Sequence, residues 1–252
     1  MLRMPKRSAR RLNARPCGSS PSRARPSRHP AVVFRTRDLL VGQRTQIINA
    51  IRGHLAEYGL IAPQGPSHVD QLIAQIEDPS SGIPDPARSC LAVLVETLRA
   101  LQGKIAALDT EIAARAKRDD GARRLMSIPG IGPLIATAIE ALAPPVETFR
   151  SGRDFAAWVG LTPLQRSTGA QERLGKISRM GERTLRRLLI IGASGVVRWA
   201  RRKGVPAGSW LARMLARKPP MLVIVALANK MARIAWALIA KGGSYRAPAV
   251  AA

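Results

Sequence analysis

Leu125-Met126-Ser127-Ile128-Pro129-Gly130-Ile131-Gly132-Pro133-Leu134 decides the fold, because two apolar helical runs meet there across a turn of proline and glycine. Glycine admits positive φ and leaves backbone N–H groups uncovered, and the second helix starts with the positive end of its dipole at the turn. A helix–hairpin–helix that receives a phosphate oxygen at Gly130, Ile131 and Gly132 fits this pattern. So does an ordinary αα-turn, which needs the same residues for packing alone.

Working upstream, Leu91, Leu94, Leu98, Leu101, Ile105, Leu108 and Ile112 follow three- and four-residue steps. They predict a long helix from about 87 to 118 with an apolar seam of coiled-coil type. Leu39, Leu40, Ile47, Ile48, Ile51 and Leu55 predict an earlier helix from Phe34 to Tyr58, stopped by Gly59. Ala62-Pro63-Gln64-Gly65-Pro66 reads as a connection, 69–76 as a short helix, and Asp78 to Pro86 as a loop. The two long seams either pair antiparallel or pack separately on the domain downstream. Beyond Ala122 the pattern is short helices and glycine turns without two-residue alternation. The expected fold class is mainly α: an antiparallel coiled-coil arm over 34–120 and a helical domain over 121–243, flanked by tails at 1–33 and 244–252.

The charge is lopsided, with 41 Lys+Arg against 16 Asp+Glu and a net +25. Such a field attracts polyanions, and for DNA the affinity comes from released counterions. Charge alone does not separate DNA from ribosomal RNA or a membrane surface. Cys17 and Cys90 lie far apart with no CxxC spacing, which supports neither a disulfide framework nor a zinc site. Met221 to Ala240 is a long apolar run, but Lys230 and Arg233 interrupt it where a bilayer would penalise them. It reads as a buried helix, and no membrane partner is expected. The first acidic residue is Asp38, and the Arg-, Ser- and Pro-rich stretch up to about Ala31 shows no hydrophobic period. That stretch is expected to be disordered. It is either a nucleic-acid-binding arm or the product of a GC-rich gene translated in a wrong frame.

Gln165-Arg166-Ser167-Thr168-Gly169-Ala170 forms a polar loop, followed by Leu174-Gly175-Lys176-Ile177-Ser178-Arg179-Met180-Gly181. Ser167 stands among Arg166, Arg173, Lys176 and Arg179, cations able to neutralise charge building up on an attacked phosphate. A Ser-Thr-Gly turn is more often only a turn, and Ser178 competes as a nucleophile. No Ser–His–Asp set is visible, since His54 and His68 belong to the arm. Arg183, Arg186 and Arg187 share one side of a helix whose other side is Leu185, Leu188 and Leu189. With Arg198, Arg201, Arg202 and Lys203 they form a candidate phosphate track, each residue being by itself compatible with a solvated face.

Phe34-Arg35-Thr36-Arg37-Asp38-Leu39-Leu40-Val41, Arg52-Gly53-His54-Leu55-Ala56-Glu57-Tyr58-Gly59, the 128–133 turn, Phe155 to Pro163, Ser167-Thr168-Gly169, Leu174 to Leu189 and Ala226 to Arg233 resemble one family. It is the "IS-one-ten" family of insertion-sequence transposases, which includes the Piv-type DNA invertases. The resemblance implies DNA as substrate and a structured bridge RNA as partner, while the coiled-coil seam itself suggests a homo-oligomer. The resemblance also implies a nucleoid-associated location in the cytoplasm and a serine nucleophile at the position of Ser167, with Thr168 beside it. Family members hold Mg²⁺ in an acidic Asp-Glu-Asp-Asp site of an N-terminal RuvC-like domain. No segment here matches that domain and residues 1–37 hold no acid, so no cofactor is expected in this chain. The expectation is an N-terminally truncated transposase, joined near Ala31 to Phe34, that binds nucleic acid without catalysing transposition. A stand-alone basic helix–hairpin–helix protein that binds DNA or RNA without chemistry is the second reading.

Overall fold

The computed structural model describes residues 29–167, 171, 173–206 and 208–246. Helix α1 spans His29–Glu57, α2 Val69–Glu77 and α3 Asp85–Arg118. Helix α1 begins at His29, ahead of the Phe34 start read from the apolar spacing. The pairing of α1 with α3 is antiparallel, as two separate clusters show. Phe34, near the start of α1, packs with Ile112 and Ala116 near the end of α3. Ile51 and Leu55, near the end of α1, pack instead with Leu91, Val95 and Leu98. Arg37 fixes the register, its Nε donating to Asp109 Oδ1 at 2.5 Å. Helix α2 closes the far end by burying Val69, Leu72, Ile73 and Ile76. Its apolar residues recur at three- and four-residue steps, so one face meets the pair and the other meets water.

The second body contains α4 (Asp120–Leu125), α5 (Pro133–Leu142), α6 (Gly152–Trp158), α7 (Arg183–Lys203), α8 (Trp210–Arg217) and α9 (Pro220–Lys241). Helix α4 starts where the Asp119 carboxylate accepts the Gly121 N–H at 3.0 Å, and α7 starts where Glu182 accepts the Thr184 N–H at 3.2 Å. Helix α9 is long and apolar enough to cross a bilayer by length and composition. Its stripe of Val223, Ala228, Met231, Ala232 and Ala235 is nevertheless buried in the same core as Leu185, Leu189, Ala193 and Val197 of α7. The small residues let the two helices approach closely, which is the physical reason for this composition. The expectation of a mainly helical protein is met.

One element departs from that expectation. Strands β1 (Pro163–Gln165) and β2 (Leu174–Ile177) form an antiparallel hairpin, pairing Pro163 with Ile177 and Gln165 with Leu174 across an irregular register. The strands are three and four residues long, and Leu164 and Leu174 both remain exposed. A ribbon with no buried face leaves no in–out alternation to read in the sequence.

Candidate functional site: a serine hairpin on a basic surface

The base of the hairpin is held from three sides. Ser178 N–H donates to Thr162 O at 2.9 Å, and Arg179 N–H donates to Gly160 O at 3.3 Å. From α9, Asn229 Nδ2 donates to Leu161 O at 3.2 Å. From α7, Arg186 Nη1 donates to both Val159 O and Met180 O, each at 2.9 Å. Gly181 has φ +80°, and a Cβ built there would overlap the Trp158 carbonyl oxygen, so only glycine fits this crossing. Arg186, placed on the phosphate track by the sequence, thus has a structural task through its Nη1. Its guanidinium clamps the two chain segments that carry the hairpin, and partial burial, together with Arg179 and Arg183, holds its pKa below the ordinary arginine value.

At the tip, Ser167 is half-buried. Its Oγ accepts from Gln165 Nε2 and from the Arg173 backbone N–H, both at 3.3 Å. A hydroxyl that accepts twice still has its own O–H to give, so the proton points to neither partner. Arg166, Arg173, Lys176 and Arg179 are exposed, and none of them pairs with a carboxylate among the described residues. Thr168, Gly169, Ala170 and Glu172 lie outside the described residues. The competing serine is placed differently. Ser178 Oγ is enclosed, without a hydrogen-bond partner, at the hairpin base, where a phosphodiester has no access.

The turn from Ile128 to Gly132 is packed rather than open. Ile128 and Ile131 are buried in the main core. Gly130 has φ +89°, and a Cβ there would lie 2.7 Å from Val196 Cγ2 and 2.9 Å from the Gly192 carbonyl oxygen. A Cβ on Gly192 would in turn overlap the Gly130 carbonyl oxygen. The glycines let α7 and the turn touch backbone to backbone, and Ile131 points inward. Gly132 alone of the three expected phosphate contacts has open space beside it, and it starts α5 without a side-chain cap.

The remaining cations divide in two. Arg187 pairs with Asp38, whose other oxygen accepts from Thr184 Oγ1 at 3.4 Å, tying α1 to α7. Arg183, Arg198, Arg201, Arg202 and Lys203 are exposed and pair with no carboxylate among the described residues. Among the described residues no three His, Cys, Asp or Glu side chains gather. Asp119 and Glu140 lie within hydrogen-bond reach of each other. Desolvation first, and the Asp119 hydrogen bond and charge second, push Glu140 up to about 8, while Asp119 is held low. Two carboxyls, one of them pushed up to about 8, with no third acid gathered beside them among the described residues, do not fit the several-carboxylate Mg²⁺ site that the resemblance implies.

Residues 122–205, which hold the packed turn, the serine hairpin and α7, match the family described as "Transposase IS116/IS110/IS902 family". A putative transposase of Sinorhizobium fredii is 42% identical over 212 residues, covering 83% of this chain and 54% of the relative. A probable family 20 transposase of Pseudomonas aeruginosa is 43% identical over 217 residues, with 85% and 64% covered. The transposase for insertion sequence element IS1111A of Coxiella burnetii is 35% identical over 215 residues, with 85% and 59% covered. Residues 122–205 therefore carry the transposase domain of this family. The chain spans between half and two thirds of the length of these relatives.

Within the transposase domain, the sequence offers Ser167 and its cations as candidates and gives no sign of two contacts that hold the hairpin and α7 in place. Asn229 was visible only as part of a motif, and its role depends on a contact 68 residues away in the chain. Asp38 is the first acid of the chain, and its partner Arg187 lies 149 residues further on. No local spacing reports such pairs.

Proposed function

We propose that the transposase domain binds a DNA strand across the β1–β2 hairpin and presents Ser167 Oγ to a phosphodiester. The observation that carries this reading is a hydroxyl that, among the described residues, only accepts hydrogen bonds, set beside four exposed cations lacking described carboxylate partners. In the step, a bond forms between Oγ and phosphorus, the bond from phosphorus to one sugar oxygen breaks, and the released sugar hydroxyl takes the serine proton. Arg166, Arg173, Lys176 and Arg179 offset the charge that accumulates on the phosphoryl oxygens. The Gly132 end of α5 adds a phosphate contact by its backbone, as a helix–hairpin–helix would. The α1–α3 pair serves as a coiled-coil arm for assembly with a second copy, and a structured RNA joins the DNA as a polyanionic partner. Complete strand exchange in this reading needs carboxylates that the described residues do not supply.

A second reading, binding without chemistry, is favoured by that same lack of a three-carboxylate cluster among the described residues. One experiment separates the two. The full chain is incubated with end-labelled DNA and Mg²⁺, denatured in detergent and run on a gel. A covalent adduct that disappears in Ser167→Ala carries the nucleophile reading, and one that persists in that variant overturns it. Steep salt-dependent binding with no adduct from the wild-type chain carries the second reading.

A further inference from the structure

A cavity of about 670 Å³ opens on the face formed by the start of α6, the start of α8 and the middle of α9. This volume is in the range that holds a ligand of nucleotide size. Its wall includes Arg153, Trp210, Asn229, Lys230, Arg233 and Trp236, and among the described residues no acid lines it. None of its three cations pairs with a carboxylate among the described residues. Lys230 Nζ sits 4.5 Å from the centre of the Trp210 ring. Burial, and after it Arg233 and Arg213, hold the Lys230 pKa below its ordinary value. Like charges are thus gathered against an aromatic face, a costly arrangement that a bound anion relieves. The Trp236 indole N–H is buried without an acceptor. Tryptophan is scarce, with 4 in 252 residues, and two of the four line this one cavity.

We propose that this cavity is a second nucleic-acid subsite, where Arg153, Lys230 and Arg233 hold one backbone phosphate and the Trp210 face stacks on the adjoining unpaired base. Lys230, which covers the ring, turns to the phosphate as the base takes its place. The base must be unpaired, because a ring stacked within a duplex exposes no face to a side chain. The inference rests on the nucleic-acid reading above and deepens it. Asn229 links the two places: it lines the cavity and also holds the Leu161 carbonyl, two residues before β1. A strand anchored here is held against the same wall that carries the Ser167 hairpin.

The test uses the full chain and a fluorescein-labelled single-stranded oligo(dT), with a duplex of equal length as comparison. For the Lys230→Gln/Arg233→Gln double variant, the salt slope of single-strand binding should fall by about 0.7, the value for one lost phosphate contact. Trp210→Leu should weaken single-strand binding roughly tenfold, as loss of one stacked base does, while Trp210→Phe keeps most of it and duplex affinity stays unchanged. Arg153→Gln, at an exposed position, should weaken single-strand binding in the same direction if either helix variant fails to fold by circular dichroism. Unchanged affinity and slope in these variants, or equal loss in Trp210→Leu and Trp210→Phe, overturns the subsite alone. Failure of the wild-type chain to bind either nucleic acid overturns the nucleic-acid reading and the subsite with it.

Discussion

The turn at 128–132 and the hairpin at 163–177 are both short, glycine-bearing connections within one domain, and the fold treats them in opposite ways. The first is pressed backbone to backbone against Gly192 of α7, with Ile128 and Ile131 sunk into the core. The described part of the second leaves Leu164 and Leu174 exposed, and its base is tied to α7 and α9 by Arg186 and Asn229. Glycine signals close approach in both places. Whether the approaching group is a helix or a ligand is set by residues far along the chain, such as Gly192 and Arg186. The difference teaches that a glycine motif reports a steric need, and that exposure of its neighbours decides whether the need is functional.

Substitutions can break this comparison, starting with the base of the hairpin. Gly181→Ala places a Cβ on the Trp158 carbonyl oxygen and forces alanine to a positive φ. Strain and overpacking together should lower stability by roughly 3 kcal/mol, measured by urea denaturation. Gly192→Ala attacks the packed turn in the same way but without a positive φ, so a loss of about 2 kcal/mol is expected in the same assay.

Arg186→Gln sharpens the comparison from the α7 side. It leaves the Val159 and Met180 carbonyls without their charged donor, and a loss of about 1.5 kcal/mol should appear in urea denaturation. The salt slope of DNA binding should stay near the wild-type value, which no direct phosphate contact would allow.

Glu140 tests the packed side through pH. Its folded-state pKa of about 8 lies above the unfolded value near 4.5. The stability it contributes is therefore complete below about 4.5 and is lost as pH rises through 8. Glu140→Gln, which cannot ionise, should flatten the fall in Tm between about pH 5 and about pH 9 in a series of thermal melts. Asp119 has the opposite sign: its lowered pKa gives stability above the ordinary carboxylate range that is lost in acid. The smallest effect belongs to the hairpin tip. Ser167→Ala removes two long accepted hydrogen bonds among the described residues at a half-buried site, so stability should change by less than about 0.5 kcal/mol.

The long helices were legible because burial repeats at helical spacing. Leu91, Leu98, Ile105 and Ile112 announce α3 almost to its ends, and Leu72 with Ile76 announce α2. The start of α1 was not legible, since the seam from Leu39 onward says nothing about how far a helix continues beyond it. The hairpin escaped because its strands are too short and too exposed to alternate. In the candidate site, Ser167 and its neighbouring cations could be proposed from composition and resemblance. The clamp role of Arg186, the Arg187–Asp38 pair and the Trp210–Lys230 cavity could not, because each joins residues from separate helices or loops. An arginine that serves backbone carbonyls looks in sequence like one that serves phosphates.

The most direct test of the central claim, that nucleic acid is held at the serine hairpin, is the salt dependence of duplex DNA binding in two charge-matched variants. One carries Arg166→Gln, Lys176→Gln and Arg179→Gln on the hairpin, and the other carries Lys104→Gln, Lys117→Gln and Arg118→Gln on the exposed side of α3. If all three hairpin cations contact phosphates, the slope should fall by about 2.7 in the first variant and stay near wild type in the second. Equal falls in both, or no fall in the hairpin variant, would contradict the account.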